Sequence, residues 1–200
     1  KNNIAIGQEA LFTSNKTKYN IAIGHNALHD LSDSNVSDFN ISIGKDTLKS
    51  HVKGEENIVI GNETANKHEE GDYNVIIGSK SAFDDISGLE NTIIGYKSMY
   101  YNIDGKGNST LGYKTGHDCK GDYNVIIGYE ADIPGSGNTD TDDNNGYGDY
   151  VDYSIAIGYQ AKVMANENIA IGKNASVDFK YDTNGSISNH SDDVNNSIAI

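Results

Sequence analysis

A five-residue phrase, Asn-Ile-Ala-Ile-Gly, occupies positions 3–7 and returns at 20–24. Looser copies close on Gly44, Gly61, Gly78, Gly95, Gly112, Gly128, Gly158 and Gly172, and an eleventh begins at Ser197. Successive glycines stand 17, 20, 17, 17, 17, 17, 16, 30 and 14 residues apart. So regular a period constrains the fold strongly, because each copy must take one shape and bury its apolar face on the next. It predicts an all-β solenoid of about eleven rungs of 14–20 residues, forming a single domain over 1–200. Polar stretches at 134–152 and 181–195 interrupt the period and read as loop insertions between rungs.

Counting each glycine as position 0, position −1 is Ile in every copy but Leu111, and −3 is mostly Ile or Val. These two share one face of a strand, and −2 takes the other. Both faces are apolar, as in parallel sheets covered on both sides. The larger residues at −1 and −3 are expected to close a thin core against a second arm carrying Leu11, Leu28, Leu48 and Met99 at +4, with Val52, Ile86 and Ile103 at +8. Burying one isoleucine contributes roughly 1.5–3 kcal/mol. That offsets the ordering cost only in a stack, so a lone rung does not fold. Position −2 (Ala5, Ala22, Ser42, Val59, Ile76, Ile93, Thr110, Ile126, Ala156, Ala170) is uncharged in every copy. Facing away from the rung's own core, it is expected to form a self-association stripe. Asn fills −4 in nine copies and predicts a ladder of stacked amides. Glycine columns at 0 and −7 mark turns.

Composition narrows the partners. The 200 residues carry a net charge of −14, which argues against nucleic acid, since phosphate binding needs clustered Lys and Arg. One cysteine allows no internal disulfide framework. No apolar run reaches the roughly 18 residues of a membrane span, so no membrane contact is expected within this segment. The chain starts and ends inside the pattern, which predicts a segment of something longer.

The phrases Asn20–Ala27, Ser154–Ala161 and Asn168–Ala175, each an Ile-Gly strand followed after two residues by Ala, resemble the head repeats of YadA-like trimeric autotransporter adhesins. The 14-residue step from Gly158 to Gly172 is similar to that family's period. Related repeats occur in viral tail and surface fibres. The resemblance implies a left-handed parallel β-roll, a homotrimer, an extracellular place on a cell or virion surface, and attachment to a host-surface protein or glycan. Here the dominant period is 17, so the second arm or its turn is longer. The competing architecture is the left-handed β-helix of hexapeptide acyltransferases, an enzyme fold. It requires an aliphatic residue every six positions, which this chain lacks, and a non-enzymatic role is expected.

Three candidate sites emerge. Lys80, Lys97 and Lys114 recur at +2 beside Tyr96, Tyr113 and Tyr129 at +1. Such a strip either binds an acidic glycan or is a solvated edge that discourages strand pairing. Asp140, Asp142, Asp143 and Asp149 form a carboxylate-dense loop that departs from EF-hand spacing; no cofactor is required, and Ca²⁺ is the candidate for this loop. His51, His68 and Cys119 share column +7, and stacking places the two histidines about 4.8 Å apart. A metal site there competes with solvated turn residues.

Overall fold

The computed structural model describes residues 2–13, 16–31, 37–85, 87–101, 104–134, 151–177 and 198–199. Each Ile-x-Ile phrase forms a three-residue strand: β1 (Ile4–Ile6), β2 (Ile21–Ile23), β3 (Ile41–Ile43), β4 (Ile58–Ile60), β5 (Val75–Ile77), β6 (Thr92–Ile94), β7 (Ser109–Leu111), β8 (Val125–Ile127) and β9 (Ile155–Ile157). Then follow β10 (Lys162–Val163), β11 (Ile169–Ile171), β12 (Ser176–Val177) and β13 (Ile198–Ala199). One parallel sheet runs β1 to β9, then β11 and β13, and β10 pairs with β12 beside it. Register is in phase throughout, with Ala22 opposite Ser42 and Val59 opposite Ile76. The fold is an all-β parallel solenoid, with no helix among the described residues.

The strand faces are the reverse of the sequence expectation. Ala22, Ser42, Val59, Ile76, Ile93, Thr110, Ile126, Ala156 and Ala170 are buried inside the chain's own core, so they form no stripe for a partner. Ala5 is uncovered only because β1 begins the stack. The outward columns are −3 and −1, where within the stack Leu111 is 49% exposed and Ile58 37%. In most long rungs size accounts for the choice. The core is one side chain deep, so −2 and +4 share its width. Ala22 shares its rung with Leu28 and Ser42 with Leu48, whereas Ile76 shares its rung with Ala82 and Thr110 with Gly116. A Cβ on Gly116 would lie 2.8 Å from Ile126 Cδ1. The exchange is not strict, since Ile93 and Met99 are both large and both fully buried in one rung.

Three left-handed residues turn each long rung. At −5 (Tyr73), +2 (Lys80) and +4 (Ala82), φ is 62°, 58° and 46°. Each is strained for a residue bearing a Cβ. The conformation aims backbone groups along the stack axis: Lys80 N donates to Asn62 O at 3.0 Å and Ala82 N to Ser98 O at 3.0 Å. At position 0 only glycine serves. Gly61 has φ 143°, and an added Cβ would sit 2.7 Å from the Gly78 carbonyl oxygen.

The asparagines at −4 are buried and link the rungs. Each Oδ1 accepts the −4 backbone N–H of the following rung, from Asn20 on Asn3 to Ser154 on Asn124, at 2.8–3.1 Å. Each Nδ2 donates to the −7 carbonyl of that same rung, from Thr17 to Val151, at 2.7–2.9 Å. The expected ladder is present, but it joins side chain to backbone more than amide to amide, which satisfies turn groups that water cannot reach.

Candidate functional site

At +1, just past the glycine turn, side chains point outward and stack by translation. Tyr96, Tyr113, Tyr129 and Tyr159 form one ladder, with ring centroids 5.4, 4.9 and 5.3 Å apart. The left-handed +2 residue beside each tyrosine lays its side chain alongside. Lys97 Nζ stands 5.8 Å from the Tyr96 centroid and 5.1 Å from that of Tyr100, and Lys114 Nζ 5.4 Å from that of Tyr113. Such cation–π contacts hold ammonium groups at the edge. Lys80 differs, since its Nζ pairs with Glu63 at 3.3 Å. Tyr96, Lys97, Tyr113, Lys114 and Tyr129 thus stand side by side in columns +1 and +2, with Lys80 turned to Glu63. Tyr159, carried across the insertion, extends the tyrosine column. The rings cover one another's faces and present edges and hydroxyls outward. Beside Tyr129, Glu130 pushes the phenol above its ordinary range.

A second ladder stands at +5, where Phe83, Tyr100 and His117 stack at 5.2 and 5.6 Å, within 8° of parallel. It ends at His117 because the arm changes. Through Gly116, residue +4 is left-handed and +5 points out. In the next rungs +4 (Asp132, Lys162) is extended and +5 (Ile133, Val163) turns into the core. The step leaves a notch of about 440 Å³, walled by His117, Lys114, Glu130, Asp132, Gln160 and Lys162. Desolvation, reinforced by Asp118, pushes the Asp132 carboxyl up to about 6. Its Oδ1 accepts the Ile133 N–H at 3.0 Å, and Gln160 Nε2 donates to Glu130 Oε2 at 2.9 Å. The notch was not legible as a site; its one sequence signal was the shortening of the period to 16 after Gly112.

His51 and His68 are not solvated turn residues. Both are fully buried, with rings stacked at 5.4 Å and 7°. His68 Nδ1 lies 3.5 Å from Asp85 Oδ2, also buried and also at +7. Desolvation, with the neighbouring His68, holds the His51 imidazole down to about 3. Cys119, buried in the same column, has its thiol pushed up to about 12 by burial. Among the described residues no three His, Cys, Asp or Glu groups converge to hold a metal ion. Asp140, Asp142, Asp143 and Asp149 lie outside the described residues.

The architecture defines the class: a parallel β-solenoid repeat protein with stacked outward columns. The chain matches no family model, no curated protein and no solved structure.

Proposed function

We propose that this chain is a rod-forming segment of an attachment fibre, adhesin-like, extracellular and self-associating as a homotrimer. The observation that carries the reading is the outward face of the long sheet. Two adjacent columns, −3 and −1, are almost wholly Ile, Val and Leu from β1 to β11, on a chain otherwise rich in charge. Most members are half-buried, and Ile4, Ile6, Ile58, Leu111 and Ile171 are exposed. An apolar stripe running the length of a rod marks an interface. A second copy of the same rod has a matching repeat, so one contact recurs at every rung. The threefold comes from the resemblance to YadA-like heads. The tyrosine and lysine columns then face outward, available to a host-surface protein or glycan. A virion or tail fibre is the related reading, for the same repeat serves there.

Light scattering tests the assembly. The expected mass is three times the 21.6 kDa of one chain. Ile43→Lys with Ile77→Lys is expected to give folded monomers that retain β-sheet circular dichroism. A wild-type monomer at micromolar concentration overturns the interface, and a dimer overturns the threefold. Attachment is tested by binding of the labelled trimer to cells and immobilised glycans, with no binding to either as the contrary result.

A further inference from the structure

The +5 ladder ends on an empty seat. His117 has one ring face against Tyr100 and its edge against Tyr101, centroids 5.0 Å apart at 90°. Its other face looks along the stack axis into the notch, where the next rung withdraws Ile133 into the core. Ring spacings of 5.2 and 5.6 Å below set where a further flat group would lie. The wall chemistry narrows what that group is. Lys114 and Lys162 oppose Glu130 and Asp132, so the seat selects neither a net anion nor a net cation. Every one of these side chains, with Gln160, ends in a group that bonds hydroxyls as donor or acceptor. A flat apolar face beneath a ring of such groups fits a neutral pyranose. A planar aromatic guest would use few of these polar groups, whereas a sugar bonds several of them at once. The volume falls within the range of about 300–1,000 Å³ usual for small-ligand sites.

We infer that the notch at the change of rung length binds one neutral sugar ring, its apolar face on His117 and its hydroxyls bonded to Glu130, Asp132 and Gln160. The inference names a ligand class for the attachment reading and rests on it only for biological sense. In the Tyr96–Tyr159 ladder the inner ring faces are spent on one another, and at its end Lys173 Nζ stands 6.0 Å from the Tyr159 centroid.

Saturation-transfer NMR on the intact protein tests it, using the methyl glycosides of glucose, galactose and mannose and N-acetylglucosamine, each at about 10 mM to reveal millimolar affinity. The expected result is transfer to the ring C–H protons of at least one. His117→Ala should weaken it about fivefold or more, and Asp132→Asn should also weaken it. His29→Ala, which removes a stacked histidine far from the notch, should leave it unchanged. No transfer to any of the four sugars overturns the inference, as does full transfer with His117→Ala. Adenosine or a tyrosine peptide competing equally well, indifferent to Asp132→Asn, reassigns the seat to a planar partner and overturns the sugar. Circular dichroism and light scattering on the same samples verify fold and assembly. A trimer that adheres to cells without binding sugars refutes this site while the attachment reading stands. Sugar binding by a chain that neither assembles nor adheres does the reverse.

Discussion

At the scale of single residues, the solenoid is decided by places where an atom has no room. Gly61 is such a place, and Gly61→Ala meets both a backbone barrier and the Gly78 carbonyl. It should cost about 3 kcal/mol or more, read as a lowered urea midpoint. The His51–His68 stack is the other. His51 is neutral in the fold and binds its proton only near pH 3, whereas the unfolded chain binds it near 6.5. Its contribution is therefore complete above pH 6.5 and is lost as pH falls toward 3. Asp132 acts oppositely: with its folded value raised to about 6, it favours the fold increasingly as pH drops from 6 toward 4. His51→Leu installs the residue that the same column carries at Leu31, buried there. Thermal melts from pH 7 to 4 should show the variant losing less stability than the parent; an unchanged pH slope would exclude His51 as the source.

The rung is the element, and its stability lies in what it hands to its neighbour. Asn74 accepts from Asn91 N at 2.9 Å and donates to Gly88 O at 2.8 Å. Asn74→Ala strands both groups in a dry interior, a loss of about 2–4 kcal/mol. Because coupling between repeats carries the stack, hydrogen exchange should quicken in β5 and β6 first. The period, the parallel sheet, the turn glycines and the tyrosine column at +1 were legible in the sequence, since translation turns each into a vertical row; the +5 ladder of Phe83, Tyr100 and His117 was not. Which strand face looks inward was not legible from hydropathy, because both faces are apolar. The exchange of size between Ala22 and Leu28 and between Ile76 and Ala82 carried part of that information, and Ile93 with Met99, both large and buried, blurs it. Left-handed Lys80 and Ala82 left no trace either, for stacking imposes a conformation that neither residue prefers. The notch stayed hidden because it arises between unlike rungs.

For the whole molecule, the two faces of the sheet make separable demands. Ala22→Lys drives a charge into a core one side chain deep and should abolish folding altogether. Ile43→Lys reaches solvent and should weaken only the contact between copies, seen as a melting temperature that falls on dilution. Equal loss of β-sheet signal in both variants would refute the division. The asparagine ladder gives the rod a further property. From Asn3 to Asn124 every side chain reaches toward the later rung, and Asn57 and Asn74 also donate back to the Oδ1 of Asn40 and Asn57 at 3.0 Å. The two ends are consequently unlike. A finished rung holds out an unfilled acceptor and donor on its C-terminal side, already locked in place. On its N-terminal side it offers backbone groups and the carboxylates at −6, Asp72 accepting from Glu55 N and Asp122 from Lys106 N, each at 2.8 Å. A chain delivered amino end first would find each new segment met by asparagine amides already in place, and the segment would bring its own aspartates to close the same seam, like a fastener with unlike teeth on its two edges.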